Sequence, residues 1–519
     1  MSDTSGPAPL AQPGQPGEPD RTLATRSIDD ALGTLRALVV DDPPAPPPLV
    51  VSSLHLAPYR PAAAPALTRH RSAGAPRPVP ARVDGEGLAD VAIAIAKGST
   101  SCRQLLEDAL EAMARTTDLG AMVHVDPDDI RRQADRLDAE AAGGRVRGPL
   151  HGIPLTVKDV IHVQGMPTRA GSVTYEALDP PEGTAVARLR AAGALVVGKV
   201  ATHEFALGVT TPQCRNPHDP SAIAGGSSGG SAIAVATGVG LASLGTDTRA
   251  SLRVPSALCG VVGFKPTFGR VPVDGIVPLS WTMDHLGPIA RTVADAAAVL
   301  EVLAGPAGLG PAAGQDLAGL VVGAPVAILE EADPIVAAAV ENVLGTLSRL
   351  GCRVLDAPCP SAADLDVANA LGLLISRSEA ATFHRAQGTD IERCLPEVRD
   401  QLRAALDIPA VDYLDAQRQR AALGARVRAG LAGIDLLVTP TTPVTAPRRD
   451  DYEGFLLVLS RNAIIWSLLG NPALSLPCGS SAAGLPIGVQ LTAGPGRERL
   501  LAQVGTALES ALSTGTSQP

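Results

Sequence analysis

Aromatic side chains supply only 2% of the 519 residues, so any core this chain forms must be built from Ala, Val, Leu and Ile. Charged residues are also sparse at 18%, against 45% hydrophobic ones, a balance that suits a globular chain with a sizeable core. Basic residues are too few to outnumber the acidic ones. The formal net charge of -10 argues against nucleic-acid binding, because phosphate neutralisation needs a basic face. Cysteine occurs seven times without a C-x-x-C pair or a Cys/His cluster, so no metal site is expected and free thiols in a reducing cytosol are. The amino terminus lacks the basic start and apolar core of a secretory signal. A long apolar run is missing too: the longest uncharged stretch, Pro220 to Thr246, is full of Gly and Ser and too polar to span a membrane. A soluble, cytoplasmic protein without membrane association is the expectation.

What is present is an alternation of helix and strand patterns. Residues 1–84 are rich in Pro, Ala, Gly and Arg and read as an extension outside the main body, partly disordered. Within it, Ser27 to Leu38 is amphipathic, with Ser27 and Asp30 placed like a capping pair. Organised structure is expected from Gly87. Ser101 and Gln104 form an S-x-x-Q capping box before a run with helical apolar spacing. Ala121 to Val125 reads as a strand, Asp126 to Ala142 as a helix, Thr184 to Ala192 as a helix and Ala194 to Lys199 as a buried strand. Pro325 to Leu329 and Ile434 to Val438 look like further core strands, with a mainly helical region between Asp333 and Ala432. Asn471 to Gly479 and Gly484 to Ala493 read as turn-linked strands, and Arg497 to Leu512 as a closing helix. The pattern predicts an α/β protein with a central sheet covered by helices.

The chemistry concentrates between Gly225 and Thr267, GGSSGGSAIAVATGVGLASLGTDTRASLRVPSALCGVVGFKPT. GGSSGG before SAIAVATG puts a Gly-rich turn at a helix start, where free backbone N–H groups favour an anion. A phosphate loop is the first rival, but the Lys-Ser/Thr ending is absent and no dinucleotide fingerprint follows a strand. Gly225 to Gly229 also matches the G-x-S-x-G elbow of α/β-hydrolases, centred on Ser227. That elbow needs a strand leading in, which RNPHDPSAIA does not supply. GTDTRASLRVPSA reads as a loop stopped by Pro255, able to present Ser251 to a cleft. A serine hydroxyl is a weak nucleophile until a base removes its proton. Lys158 ends the apolar stretch Ile153 to Val157, where desolvation would lower its pKa and free the amine to act as that base. The competing reading pairs Lys158 with Asp159.

Together, GPLHGIPLTVKDV, GGSSGG and the segment around Ser251 resemble the amidase signature family, serine–serine–lysine hydrolases. MPTRAGS, GKVATHEFALG, RNPHDP, MDHLGPIARTVADAA and GLPIGVQL agree with it. The resemblance covers Gly87 to Leu512. It implies a large mixed central β-sheet with helices on both faces, a helical substrate-covering region, a catalytic domain over 85–512 and a short flexible tail at 513–519. It further implies Ser251 as nucleophile, Ser227 as proton relay after a cis peptide bond, and Lys158 as base. The spacing of 24 positions from Ser227 to Ser251 is the one the family requires. Backbone N–H groups of Thr248, Arg249, Ala250 and Ser251 would form the oxyanion hole, with Ser228, Asp247 and Arg253 in support. His151, His203-Glu204 and Asp284-His285 receive no catalytic role. No metal or organic cofactor is implied, and a homodimer is the assembly the resemblance suggests.

The resemblance implies cleavage of a carboxamide C–N bond in a small-molecule amide through an acyl-enzyme. A glutaminase-type A subunit of a tRNA-dependent amidotransferase and a catalytically silent binding protein are the alternatives. One departure stands out. Most members carry Gly-Gly, or Gly and a small residue, where this chain has Arg249-Ala250. Arg249 can point away from the site, enter it and select an anionic substrate, or mark an impaired relative; the sequence leaves these three open.

Overall fold

The computed structural model describes residues 23–37, 87–305 and 316–514. Eleven strands form one sheet: β1 (Met122–His124), β2 (Pro154–Lys158), β3 (Leu195–Val200), β4 (Ala242–Asp247), β5 (Val262–Lys265), β6 (His285–Ala290), β7 (Val321–Ala324), β8 (Arg353–Asp356), β9 (Leu436–Pro440), β10 (Ala473–Ser480) and β11 (Pro486–Ala493). Their order is β1-β3-β2-β4-β6-β5-β10-β11-β9-β7-β8. Two parallel groups, β3-β2-β4 and β9-β7-β8, are joined through antiparallel pairings of β6, β5, β10 and β11. The sheet is therefore mixed, as the resemblance implied.

Local sequence signals account for many boundaries. Asp126 caps the helix Pro127–Ala142 by accepting from Asp129 N–H, and Pro127 starts it where no intrahelical N–H is needed. Ser101 accepts from Gln104 N–H at 3.0 Å, the first half of the expected box; the Gln104 amide donates to Asp108 instead. β2 and β3 are buried at every position, as expected for strands covered on both faces. β10 and β11 pair antiparallel from Ala473–Thr492 to Ser480–Pro486. The core is aliphatic, as the lack of aromatics demands, and Trp466, Phe205 and Phe264 are its fully buried rings. All seven cysteines are free and buried.

Four expectations require correction. Pro325 to Leu329 is not a strand: Val326–Glu330 is helical, and the strand is β7 just before it. A five-residue apolar run has no readable period, and Pro325 fits the entry to a helix as well as a strand. Nor is GTDT all loop, since Gly245, Thr246 and Asp247 end β4. Pro255 does not stop a helix but lies in the first turn of Arg253–Cys259, where its missing N–H costs nothing. Ser27 is no cap either, because that helix runs Leu23–Ala37 and Ser27 lies a turn inside it.

The helix Leu23–Ala37 packs on the long helix Ala362–Gln387, burying Ile28 and Ala31. The remaining expectations for residues 1–22, 38–86 and 515–519 fall outside the described residues. Between Asp333 and Ala432 the chain is mainly helical, with β8 and short connections between the helices. No helix among the described residues is long and apolar enough to cross a membrane.

Candidate active site

Lys158 is the last residue of β2 and Thr246 the penultimate residue of β4, its parallel neighbour. The register puts both at the carboxyl ends of adjacent strands, where ligands bind in open α/β sheets. Lys158 Nζ is fully buried and lies 2.7 Å from both Ser227 Oγ and Thr246 Oγ1. Burial pushes its pKa down to about 7, against the opposing pull of the Asp247 and Asp284 charges. The competing partner, Asp159, is taken by Lys199 at 3.0 Å. Among the described residues Lys158 thus has two hydroxyls and no carboxylate in contact.

Ser227 sits in the Gly-rich turn before the helix Gly229–Ala236, and the Gly226–Ser227 peptide bond is cis. Close packing explains the glycines: Gly225 has φ +75°, and a Cβ on Gly226 would collide with the Thr210 carbonyl. Thr211 Oγ1 holds the turn by donating to Gly225 C=O and accepting from Gly229 N–H, both at 3.1 Å. Ser251 lies in the next turn, between β4 and the helix Arg253–Cys259. The two serine turns are joined through Ser228: its N–H donates to Ser251 C=O at 3.3 Å and its hydroxyl to Thr246 C=O at 3.2 Å. Among the described residues no hydrogen bond joins the Ser251 and Ser227 hydroxyls. The Lys158–Ser227 link is formed, while the Ser227–Ser251 link is not; such contacts often tighten only with substrate bound.

The turn from Thr248 to Ser251 is buried throughout. Among the described residues none of its four backbone N–H groups donates to a protein acceptor. Orphaned buried N–H groups are rare, and four in succession are a run of donors available to a ligand. Neither Arg249 nor Ala250 has positive φ, so the departure from glycine forces no strain on this turn. Thr248 Oγ1 donates to Asp284 at 2.5 Å, and Asp284 also accepts from Leu279 and Ser280 N–H at 3.0 Å. Burial raises the Asp284 carboxyl to about 6 in spite of those bonds.

On the far side of the turn, Asp247 and Arg253 make a fully buried ion pair at 2.9 Å. Burial opposes ionisation of Asp247, but the Arg253 charge and hydrogen bonds overcome it and hold the carboxyl well below the usual range. Arg249 is different. It is 6% exposed, its guanidinium donates to Asn369 Oδ1 at 2.5 Å, and its Nε has no partner.

Thr246, Thr211, Asp284 and Asn369 were not singled out from the sequence for this site. Thr246 carried no signal beyond its place before Asp247; only strand register brings it to Lys158. His203, given no role, does contact the site, its N–H donating to Ser227 C=O at 3.2 Å.

With this geometry in hand, the comparisons are specific. The Amidase family matches residues 104–502. An amidase of Pseudomonas putida is 36% identical over 458 residues, covering 83% of this chain and 97% of that protein. The A subunit of the glutamyl-tRNA(Gln) amidotransferase of Synechococcus sp. (strain CC9605) is 35% identical over 481 residues, covering 81% and 95%. A solved amidase structure superposes with a TM-score of 0.75 at 38% identity, covering 82% of this chain and 99% of its own. The chain therefore belongs to the amidase signature family of hydrolases.

Proposed function

We propose that the protein is an amidohydrolase that cleaves a carboxamide C–N bond through an acyl-enzyme on Ser251. The observation that carries this reading is the buried contact of Lys158 Nζ with Ser227 Oγ at 2.7 Å, beside the four unpaired N–H groups leading to Ser251. With its pKa near 7, a large share of Lys158 is neutral at physiological pH and able to accept a proton. Ser251 Oγ attacks the carbonyl carbon as Ser227 takes its proton and passes its own to Lys158. The oxyanion is held by the N–H groups of the Thr248–Ser251 turn. Lys158, through Ser227, returns the proton to the departing nitrogen, releasing ammonia or an amine. Water then attacks the acyl-enzyme by the same relay and releases the acid.

Fluorophosphonate labelling read by intact mass tests this. A single adduct on the wild type is expected, lost in Ser251→Ala and in Lys158→Ala. In both variants amide turnover should fall by roughly 10³-fold or more, as for other residues that act as a unit. An adduct that persists in Ser251→Ala would refute the assignment of the nucleophile. The A-subunit reading is supported by similarity to amidotransferase subunits. It requires a stable partner for glutamine hydrolysis, so glutaminase activity that appears only with co-purified subunits would favour it.

A further inference from the structure

Two arginines are buried without an anionic partner among the described residues. Arg249 stands two residues before Ser251, and Arg377 lies on the helix Ala362–Gln387, two turns beyond Asn369. Each is 6% exposed. Arg249 spends one donor on Asn369 Oδ1, and Arg377 spends one on Ser376 Oγ at 3.3 Å. A guanidinium has five. The Nε of both is buried with no hydrogen-bond partner, and among the described residues neither forms an ion pair with any carboxylate. Glu379, the acidic residue nearest in sequence to Arg377, is engaged by Ser280, Thr282 and Tyr413.

The two charges are close enough to oppose each other. Burial, and then the charge of Arg249, weakens the hold of Arg377 on its proton, and burial lowers Arg249 to about 10. Arg377 also acts toward the serine turns: burial disfavours a proton on the His203 ring, a hydrogen bond to Glu204 C=O opposes this, and the charges of Arg377 and Lys158 disfavour the proton further, while the His203 backbone N–H is bonded to Ser227 C=O. Uncompensated buried cations are strongly destabilising unless something pairs with them. Among the described residues nothing does, which leaves both guanidinium groups with donors to offer an anion.

We propose that Arg249 and Arg377 form an anion subsite that holds a carboxylate on the amide substrate while Ser251 attacks its carboxamide. The planar forks suit bidentate carboxylate recognition. Arg249 stands two residues from the nucleophile, which favours a short separation of carboxylate and carboxamide. The substrate class is therefore a short amide acid, such as the monoamide of a small dicarboxylic acid. This inference rests on Ser251 as the nucleophile. It assigns Arg377, more than a hundred residues away in sequence, to substrate selection.

The experiment uses the full chain and compares succinamic acid with butyramide, its uncharged counterpart. The anionic substrate is expected to have a kcat/KM at least 10-fold higher, the scale of one lost charge-assisted hydrogen bond. Succinate should protect Ser251 from a neutral fluorophosphonate and raise the melting temperature of the wild type. In Arg377→Gln both effects should vanish, with the loss for succinamic acid falling on KM. Arg377→Met should melt higher than the wild type without ligand, because an unpaired buried charge is removed. Labelling of Ser251 that ignores succinate, with equal turnover of the two amides, would overturn the subsite and leave the proposed function standing. Inorganic phosphate protecting as well as succinate would overturn the carboxylate assignment. No labelling at all would overturn the function, and the succinate-dependent melting shift of the wild type would then decide the arginine pair alone. That last readout holds even if the variants fail to fold.

Discussion

Arg249 and Arg253 are four residues apart, on either side of the same serine, and both are buried; their surroundings are opposite. Arg253 has every donor engaged: two bonds to Asp247, and one each to Ala463 C=O, Gln490 Oε1 and Ser467 Oγ, at 2.7–3.0 Å. Ser467 closes the loop by donating to Asp247 at 2.8 Å. Arg249 has one protein partner and an orphaned Nε. A saturated buried guanidinium has nothing left to offer a ligand and serves to fix the chain. An unsaturated one keeps donors for an anion. Counting donors, rather than noting burial or charge, separates the brace from the binding group.

The largest test of this contrast is Arg253→Met. It removes the guanidinium paired with buried Asp247, and should cost about 3–5 kcal/mol of stability, read by chemical denaturation. A loss below about 1 kcal/mol would break the comparison. Arg249→Met should instead leave the midpoint unchanged or raised, while the preference for an anionic over a neutral amide falls roughly 10-fold or more. Steady-state kinetics on the two substrates checks it, and an unchanged preference would move Arg249 to the bracing side.

A third test concerns Lys158, a buried cation bonded only to hydroxyls among the described residues. If it is the base, kcat/KM should rise with pH through a midpoint near 7, as the amine loses its proton. Asp284→Asn removes a negative charge that favours the ammonium and should move that midpoint to lower pH. Stability follows the same group. The folded pKa lies below the unfolded one of about 10.4, so the unfolded chain binds more protons between the two values. The lysine's penalty is full below pH 7 and fades as pH rises toward 10. Lys158→Met should accordingly exceed the wild type in stability most at pH 6, and least at pH 10. The smallest effect expected is that of Ser228→Ala, about 1 kcal/mol, since the hydroxyl bond to Thr246 is lost but the backbone bond to Ser251 remains.

How much of this was written in the sequence depends on the distance over which a residue acts. Lys158, Ser227 and Ser251 were singled out because fixed short motifs surround them, and of the contacts expected among them the bond between Lys158 and Ser227 is present. The helix Pro127–Ala142 and the strands β3, β10 and β11 were legible from capping residues and apolar periods. β4 was partly missed because ASLGTD is built of small and polar residues that no strand pattern selects, yet all six are buried. Pro325 to Leu329 was misread since a short apolar run fits either element. Thr246 reaches Lys158 across 88 positions and Asn369 reaches Arg249 across 120. Contacts of that separation are set by sheet register and helix docking, which leave no local trace. The open choice about Arg249 narrowed for the same reason: its burial and its bond to Asn369 are tertiary facts.

β2 and β4, which carry Lys158 and Thr246, are interior strands, each hydrogen-bonded on both sides. Opening them requires breaking the ladder with β3 or β6 as well, so their amides should be among the slowest to exchange with solvent. Fraying of the periphery leaves such a centre intact. Heat inactivation of the protein should therefore track the rate of its global unfolding, and residual turnover becomes a direct clock for that event.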